Sequence, residues 1–237
     1  MIDINCDMGE GMGNDADLMP YVYSANIACG FHAGDEKSMR EMVTLCLEHN
    51  VNIGAHPSFY DRENFGRVNI QLSESMIHDL ITVQLLTINN IVNDLGGKLQ
   101  HVKPHGALYN MAAKDQMFAR AIAITVKDFD PALVYYGLSG SVMIDEAEAI
   151  GLRVLNEVFA DRTYQRDGSL TPRTEANALI NDTAAVLAQV DKLVKEQKVK
   201  TVTGEEIYVK AQTICIHGDG AHALEFAKAI HKSIHEK

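Results

Sequence analysis

Four histidines stand at matching points of separate short motifs: His32 in ANIACGFHAGD, His56 in IGAHP, His105 in VKPHGALYN and His217 in ICIHGDG. Imidazole titrates nearest neutrality, so it serves proton transfer and metal ligation alike. Carboxylates accompany them. Asp7 and Glu10 lie in DINCDMGEG together with Asn5, Glu157 and Asp161 lie in NEVFADRTY, and Asp219 follows His217. Two cations complete the set, Lys103 two residues before His105 and Arg162 beside Asp161. Such a set suits hydrolysis at a carbonyl. Carboxylates orient or deprotonate a water, imidazoles move protons, and an ammonium stabilises a developing oxyanion. One His in a glycine-rich turn is ordinary loop chemistry, but four at equivalent points of successive units argue for a shared site.

On an extended segment Lys103 and His105 point to one side, where they could hold a substrate carboxylate or an oxyanion. A buried Lys needs a partner, expected among Asp7, Glu10 and Asp219. Asp7, His32 and His56 also offer a carboxylate and two imidazoles, donors that suit zinc, manganese or iron. No compact HxxxH or HExxH spacing supports a metal, so a metal-free acid–base pocket is the competing reading. The glycine-rich residues 9–13 are not a dinucleotide fingerprint, because Asn14 stands where the third glycine belongs and no helical pattern follows. No GxxxxGK[ST] run exists, so the chain has no recognisable phosphate loop for ATP.

Elements that alternate regularly must position these groups. Apolar or β-branched runs at residues 2–6, 24–29, 51–55, 99–102, 132–136, 153–158 and 213–216 read as strands. Helical periodicity separates them: around Met39–Cys46, from Met76 to about Leu95 before Gly96-Gly97, around Met117–Ile122, over 141–150, over 175–196, and from Ala223 to Ile234. Residues 199–209, centred on Gly204, read as a small hairpin excursion. Strand and helix in repeated alternation mean a parallel sheet covered by helices. In an open sheet the reactive residues gather at one switch point. Here six of seven strands end in them, the fifth ending in the blander YYGLSGS; that fits a closed ring whose carboxyl ends converge. The expectation is a single α/β domain over residues 1–237, a seven-stranded parallel β/α barrel.

The 237 residues suffice for such a barrel, and 46% hydrophobic with 22% charged residues is globular composition. The formal charge of −11 argues against nucleic-acid or anionic-membrane partners. Four cysteines without CxxC spacing fit buried thiols in a reducing compartment. MIDINCDMGE carries acids where a secretory leader would carry positive charge. No apolar run approaches a membrane span. Cytoplasm is the expected location.

At these motifs the chain resembles the LamB/YcsF family, the A component of the bacterial ATP-dependent 5-oxoprolinases. DINCDMGEG, ANIACGFHAGD, IGAHPSFYDRENFGR, VKPHGALYN, EVFADRTYQRDGSLTPR and ICIHGDG match its blocks in order, almost end to end. One position departs. Val68 follows Gly66-Arg67 where family members often carry a second arginine, so no anion-binding role carries over to it. The resemblance implies a barrel of the glycoside hydrolase/deacetylase type. It also implies cleavage of the lactam 5-oxo-L-proline to L-glutamate, coupled to ATP hydrolysis. The implied partners are 5-oxoprolinase subunits B and C, through which ATP would be used, in keeping with the missing phosphate loop.

Together, residues and resemblance suggest Asp7, Glu10, Lys103, His105 and His217 as catalytic. Asn5, His32, His56, Glu157, Asp161, Arg162 and Asp219 are expected to bind substrate. The alternatives are a stand-alone metal-dependent deacetylase or amidohydrolase on a small amide, and a non-catalytic component that binds a small carboxylate.

Overall fold

The first strand shows how this sequence builds its sheet. In Asp3-Ile4-Asn5-Cys6-Asp7-Met8 polar and apolar residues alternate, so the two faces of the strand differ. Ile4, Cys6 and Met8 are fully buried in the apolar core, while Asn5 and Asp7 bond to residues of other strands across the ring. The computed structural model describes residues 2–218, 220 and 222–235. Its elements are β1 (Asp3–Met8), α1 (Asp15–Leu18), β2 (Ser24–Ala28), α2 (Glu36–His49), β3 (Asn52–His56), α3 (Glu74–Asp94), β4 (Leu99–Val102) and α4 (Gly106–Ala112). They continue with α5 (Gln116–Phe129), β5 (Val134–Leu138), α6 (Val142–Ala149), β6 (Arg153–Phe159), α7 (Thr183–Glu196), β7 (Lys198–Lys200), β8 (Glu206–Tyr208), β9 (Thr213–Ile216) and α8 (Ala223–His235).

The strands β1-β2-β3-β4-β5-β6-β9 form a closed barrel, every pair parallel. Closure comes from β9, which pairs with β6 on one side and β1 on the other. This is the seven-stranded ring read from the strand ends. The hairpin excursion is also present, β7 running antiparallel to β8 around Gly204 at φ +90°.

A parallel barrel usually fills its interior with layers of Val, Ile and Leu. This one is polar inside. Asn5 donates to Thr213 (2.7 Å), Asn26 donates to Asn5 and Asp7 (2.8 Å each), and the His101 Nε2–H donates to Asn26 (2.8 Å). The apolar material lies between the ring and its helices, where α2, α3, α5 and α7 bury Val43, Ile81, Ile122 and Val190. The His101 ring occupies the space opposite Gly54, where any side chain would collide with it.

Two expectations about helices need correction. The helix read over 175–196 begins only at Thr183, where Asp182 caps it by accepting from the Ala185 N–H at 2.8 Å. Residues 175–180 fold back on the β6 end instead, with the Thr163 N–H on Ala178 O and the Ile180 N–H on Asp161 O. The seven-residue α4 was not foreseen, nor was the single turn α1. Neither is long enough to display helical periodicity.

Candidate active site

Six of the seven barrel strands deliver their chemistry near or just beyond their C-terminal ends, as parallel register requires. Asp7 pairs in register with Asn26, Ala28 with His56, and Asn5 with both Ser24 and Cys215. Lys103, one residue past β4, crosses the ring. Its Nζ lies 2.9 Å from Asp7 Oδ1, 2.9 Å from Glu157 Oε1, 3.2 Å from Asn5 Oδ1 and 3.1 Å from Cys215 Sγ. Burial alone would lower the Lys103 pKa, but the charges of Asp7 and Glu157 hold it well above the ordinary lysine value. Burial likewise works against the Asp7 carboxylate, yet His56 and Lys103 keep it well below its usual range. Glu157 is fully buried and also accepts from the Tyr109 hydroxyl at 2.7 Å.

Beside this group three imidazoles meet Glu10. The His32 Nε2 lies 2.9 Å from Glu10 Oε1, His105 Nδ1 3.2 Å and His56 Nε2 3.8 Å. Outward contacts fix two of the rings. The His56 Nδ1–H donates to Lys103 O at 2.7 Å, and the His105 Nε2–H donates to Phe65 O at 2.9 Å. Carbonyls only accept, so both protons sit on the outer nitrogens. Burial pushes His32 down to about 3 and also lowers His105, so both are neutral at pH 7. Burial opposes the Glu10 carboxylate, but bonds from His105 and His32 hold it below the usual carboxylate range.

A second pair stands across the mouth. His217 Nδ1 lies 2.9 Å and 3.1 Å from the two oxygens of Asp161. This leaves Nε2 for the solvent side, the arrangement by which a carboxylate sets the tautomer of a catalytic imidazole. Burial raises the Asp161 pKa, but the charge and hydrogen bond of His217 together with Arg162 and Arg173 bring it below its ordinary value. Arg162 donates to Thr171 O (2.6 Å) and Ala178 O (3.3 Å), tying down the β6–α7 loop. Burial lowers its pKa to about 10, still charged at neutrality.

These groups open onto one cavity of about 1010 Å³, lined by Asp7, Glu10, His56, Lys103, His105, Arg162 and His217. Four of the expected residues stand behind that lining. Asn5 and Glu157 are fully buried and hold Lys103, His32 backs Glu10, and Asp161 backs His217. These four hold or back lining residues and do not themselves form the lining. Asp219 lies outside the described residues.

The expected metal set of Asp7, His32 and His56 is not the one that converges. Donor atoms of Glu10, His32, His56 and His105 lie within 4.8 Å of one another, and Asp7 groups with Cys215 and His217. Other lining residues were not singled out from the sequence: Arg67, Asn69 and Gln71 after β3, Tyr109 and Asn110 on α4, and Arg173. Arg67, Tyr109, Asn110 and Arg173 lie inside the motifs already noted, and that proximity was the available signal. Val68, between lining neighbours Arg67 and Asn69, is 48% exposed and is not among the lining residues.

Known proteins resemble this chain along nearly its whole length. The LamB/YcsF family model matches residues 2–237. The A subunit of 5-oxoprolinase from Shouchella clausii is 53% identical over 97% of this chain and 92% of its own length. That of Staphylococcus carnosus is 50% identical over 98% and 94%. Among solved structures, a lactam utilization protein from Thermus thermophilus superposes with a TM-score of 0.92 at 40% identity, covering 99% of this chain and 96% of its own. With its closed parallel barrel, its ring of polar strand ends and a match that spans nearly every residue, the chain belongs to the LamB/YcsF family.

Proposed function

We propose that this chain hydrolyses a cyclic amide, opening 5-oxo-L-proline to L-glutamate as the A component of an ATP-dependent 5-oxoprolinase. Its relatives of that name share about half its residues over nearly the whole length. The single observation that carries the reading is structural. Asp7, Glu10, Lys103 and His217, far apart in sequence, line one cavity with supported tautomers and partnered charges.

Ring opening breaks the lactam C–N bond; the water oxygen joins the carbonyl carbon and a proton ends on nitrogen. An unstrained amide resists this. Subunits B and C would use ATP to phosphorylate the lactam oxygen, releasing ADP and raising the electrophilicity of the carbon; water addition and C–N cleavage then leave an acyl phosphate, which a second water hydrolyses to glutamate and inorganic phosphate. The cavity is at the large end for a small-molecule site, leaving room for a phosphoryl group. Asp7 and Glu10, ionised, are poor bases with low pKa and act by orienting the water. His217, steadied by Asp161, carries the proton from water to nitrogen, and Lys103 stabilises charge on oxygen. His105 and His56 hold Glu10 in place. Arg162, with the lining residues Arg67 and Arg173, faces the substrate's charged groups. A cytoplasmic location follows from the use of ATP; no described helix is long and apolar enough to cross a membrane.

The test is glutamate release from 5-oxoproline by this chain alone and with subunits B and C, with and without ATP. Turnover is expected only with all components present. Release by the chain alone, without ATP, would overturn the reading in favour of a stand-alone amidohydrolase. Asp7→Asn and His217→Asn should each lower turnover by roughly 10²-fold or more, with unchanged circular dichroism.

A further inference from the structure

The Glu10 cluster presents acceptors to one another. His56 and His105 carry their protons outward on Lys103 O and Phe65 O. Their inner nitrogens, His56 Nε2 and His105 Nδ1, therefore face each other as lone pairs at 3.0 Å. Glu10 Oε1 stands 3.2 Å from His105 Nδ1 and 3.8 Å from His56 Nε2, and Asp7 Oδ2 stands 3.4 Å from His56 Nε2. Lone pairs at these separations repel unless a cation sits among them. Charge points the same way. In the buried group the carboxylates Asp7, Glu10 and Glu157 outnumber the single ammonium of Lys103, so the pocket draws in a cation.

We propose that Glu10, His56 and His105 bind one divalent transition-metal ion, with Asp7 beside His56 at 3.4 Å. Donors around an ion bonded at roughly 2.0–2.1 Å stand about 3.3 Å apart in a tetrahedron, close to the 3.0, 3.2 and 3.8 Å separations among these three. Two imidazoles and a carboxylate suit zinc, manganese or iron rather than magnesium or calcium. His32 is not a ligand. Its ring stacks on His105 at 3.8 Å with the planes 7° apart, and an ion cannot lie in both planes. The His32 Nδ1 has no hydrogen-bond partner, so the proton sits on Nε2 and is donated to Glu10 Oε1, orienting that ligand as outer-shell groups do. All three ligands line the cavity. A bound ion would therefore face it and offer Lewis-acid contact to an oxygen there.

The competing occupant is a proton shared between His56 and His105. After dialysis against chelator, the chain is titrated calorimetrically with Zn²⁺ and Mn²⁺, and the bound metal is counted by elemental analysis. One ion per chain is expected. His56→Gln and His105→Gln should each weaken binding at least about 100-fold, and His32→Gln by roughly 10–100-fold. His78→Gln, on the exposed surface of α3, should leave it unchanged.

Wild-type affinity in the His56→Gln/His105→Gln double variant would overturn the proposal, as would no saturable binding. Co²⁺ on the unaltered chain gives a readout that does not depend on any variant folding. Visible absorption of a four-coordinate site is expected at one equivalent, and its absence counts against the site. None of these measurements uses 5-oxoproline, so a negative result leaves the proposed activity standing, and a failed activity assay leaves the metal site standing.

Discussion

At the scale of single residues, the site depends on groups that touch other groups rather than substrate. Lys103 is held by Asp7, Glu157 and Asn5, and breaking a buried pair leaves charge without compensation. Lys103→Met should lower unfolding free energy by about 3–5 kcal/mol, measured by urea denaturation; a loss below about 1 kcal/mol would mean that water reaches the carboxylates. Asp161 acts through His217. Asp161→Asn keeps the shape but no longer selects the tautomer, so kcat should fall by roughly 10²–10⁴ with KM nearly unchanged. Equal rates would remove His217 from proton transfer.

At the scale of elements, the mouth is built by loops locked to short helices. Gly106 opens α4 at φ +54°, and a Cβ there would stand 2.6 Å from Gly66 O. The Ala107 N–H donates to that same carbonyl at 2.9 Å, so the loop after β3 rests directly on α4. That loop also carries Phe65 O, which fixes the His105 tautomer. Gly106→Ala should cost about 1 kcal/mol or more through its positive φ and should depress turnover beyond what stability explains; a thermal melt beside a rate measurement separates the two. On the opposite side Arg162 and the Asp182 cap organise the β6–α7 segment. This is why the helix starts later than its composition suggests.

At the scale of the whole molecule, a polar barrel interior makes stability depend on pH. His101 is buried, and burial together with the Lys103 charge lowers its pKa to about 3. An unfolded histidine titrates near about 6.5. Between these values the unfolded chain binds a proton that the folded chain refuses. This contribution is therefore full above about pH 6.5 and declines as pH falls, by up to about 1.4 kcal/mol per unit. His101→Gln should flatten the pH dependence of unfolding free energy between about pH 6 and 5 by about that slope; an unchanged slope would mean the ring is not neutral in the fold.

The local pattern of this chain was sufficient for its architecture. Strand–helix alternation and reactive residues at six strand ends distinguished a ring from an open sheet, because only a ring brings six carboxyl ends to one place. The motifs likewise identified Asp7, Glu10, Lys103, His105 and His217, all of which line the cavity. Tertiary structure decided which of the marked residues face that cavity and which stand behind it. Strand register and side-chain reach set Glu157, Asn5, His32 and Asp161 behind the lining residues, and brought Glu10 together with His32, His56 and His105 where the motifs had suggested Asp7, His32 and His56. Those partnerships depend on distances between segments far apart along the chain, as with Lys103 and Cys215. Residue type and spacing along the chain carry no record of such distances.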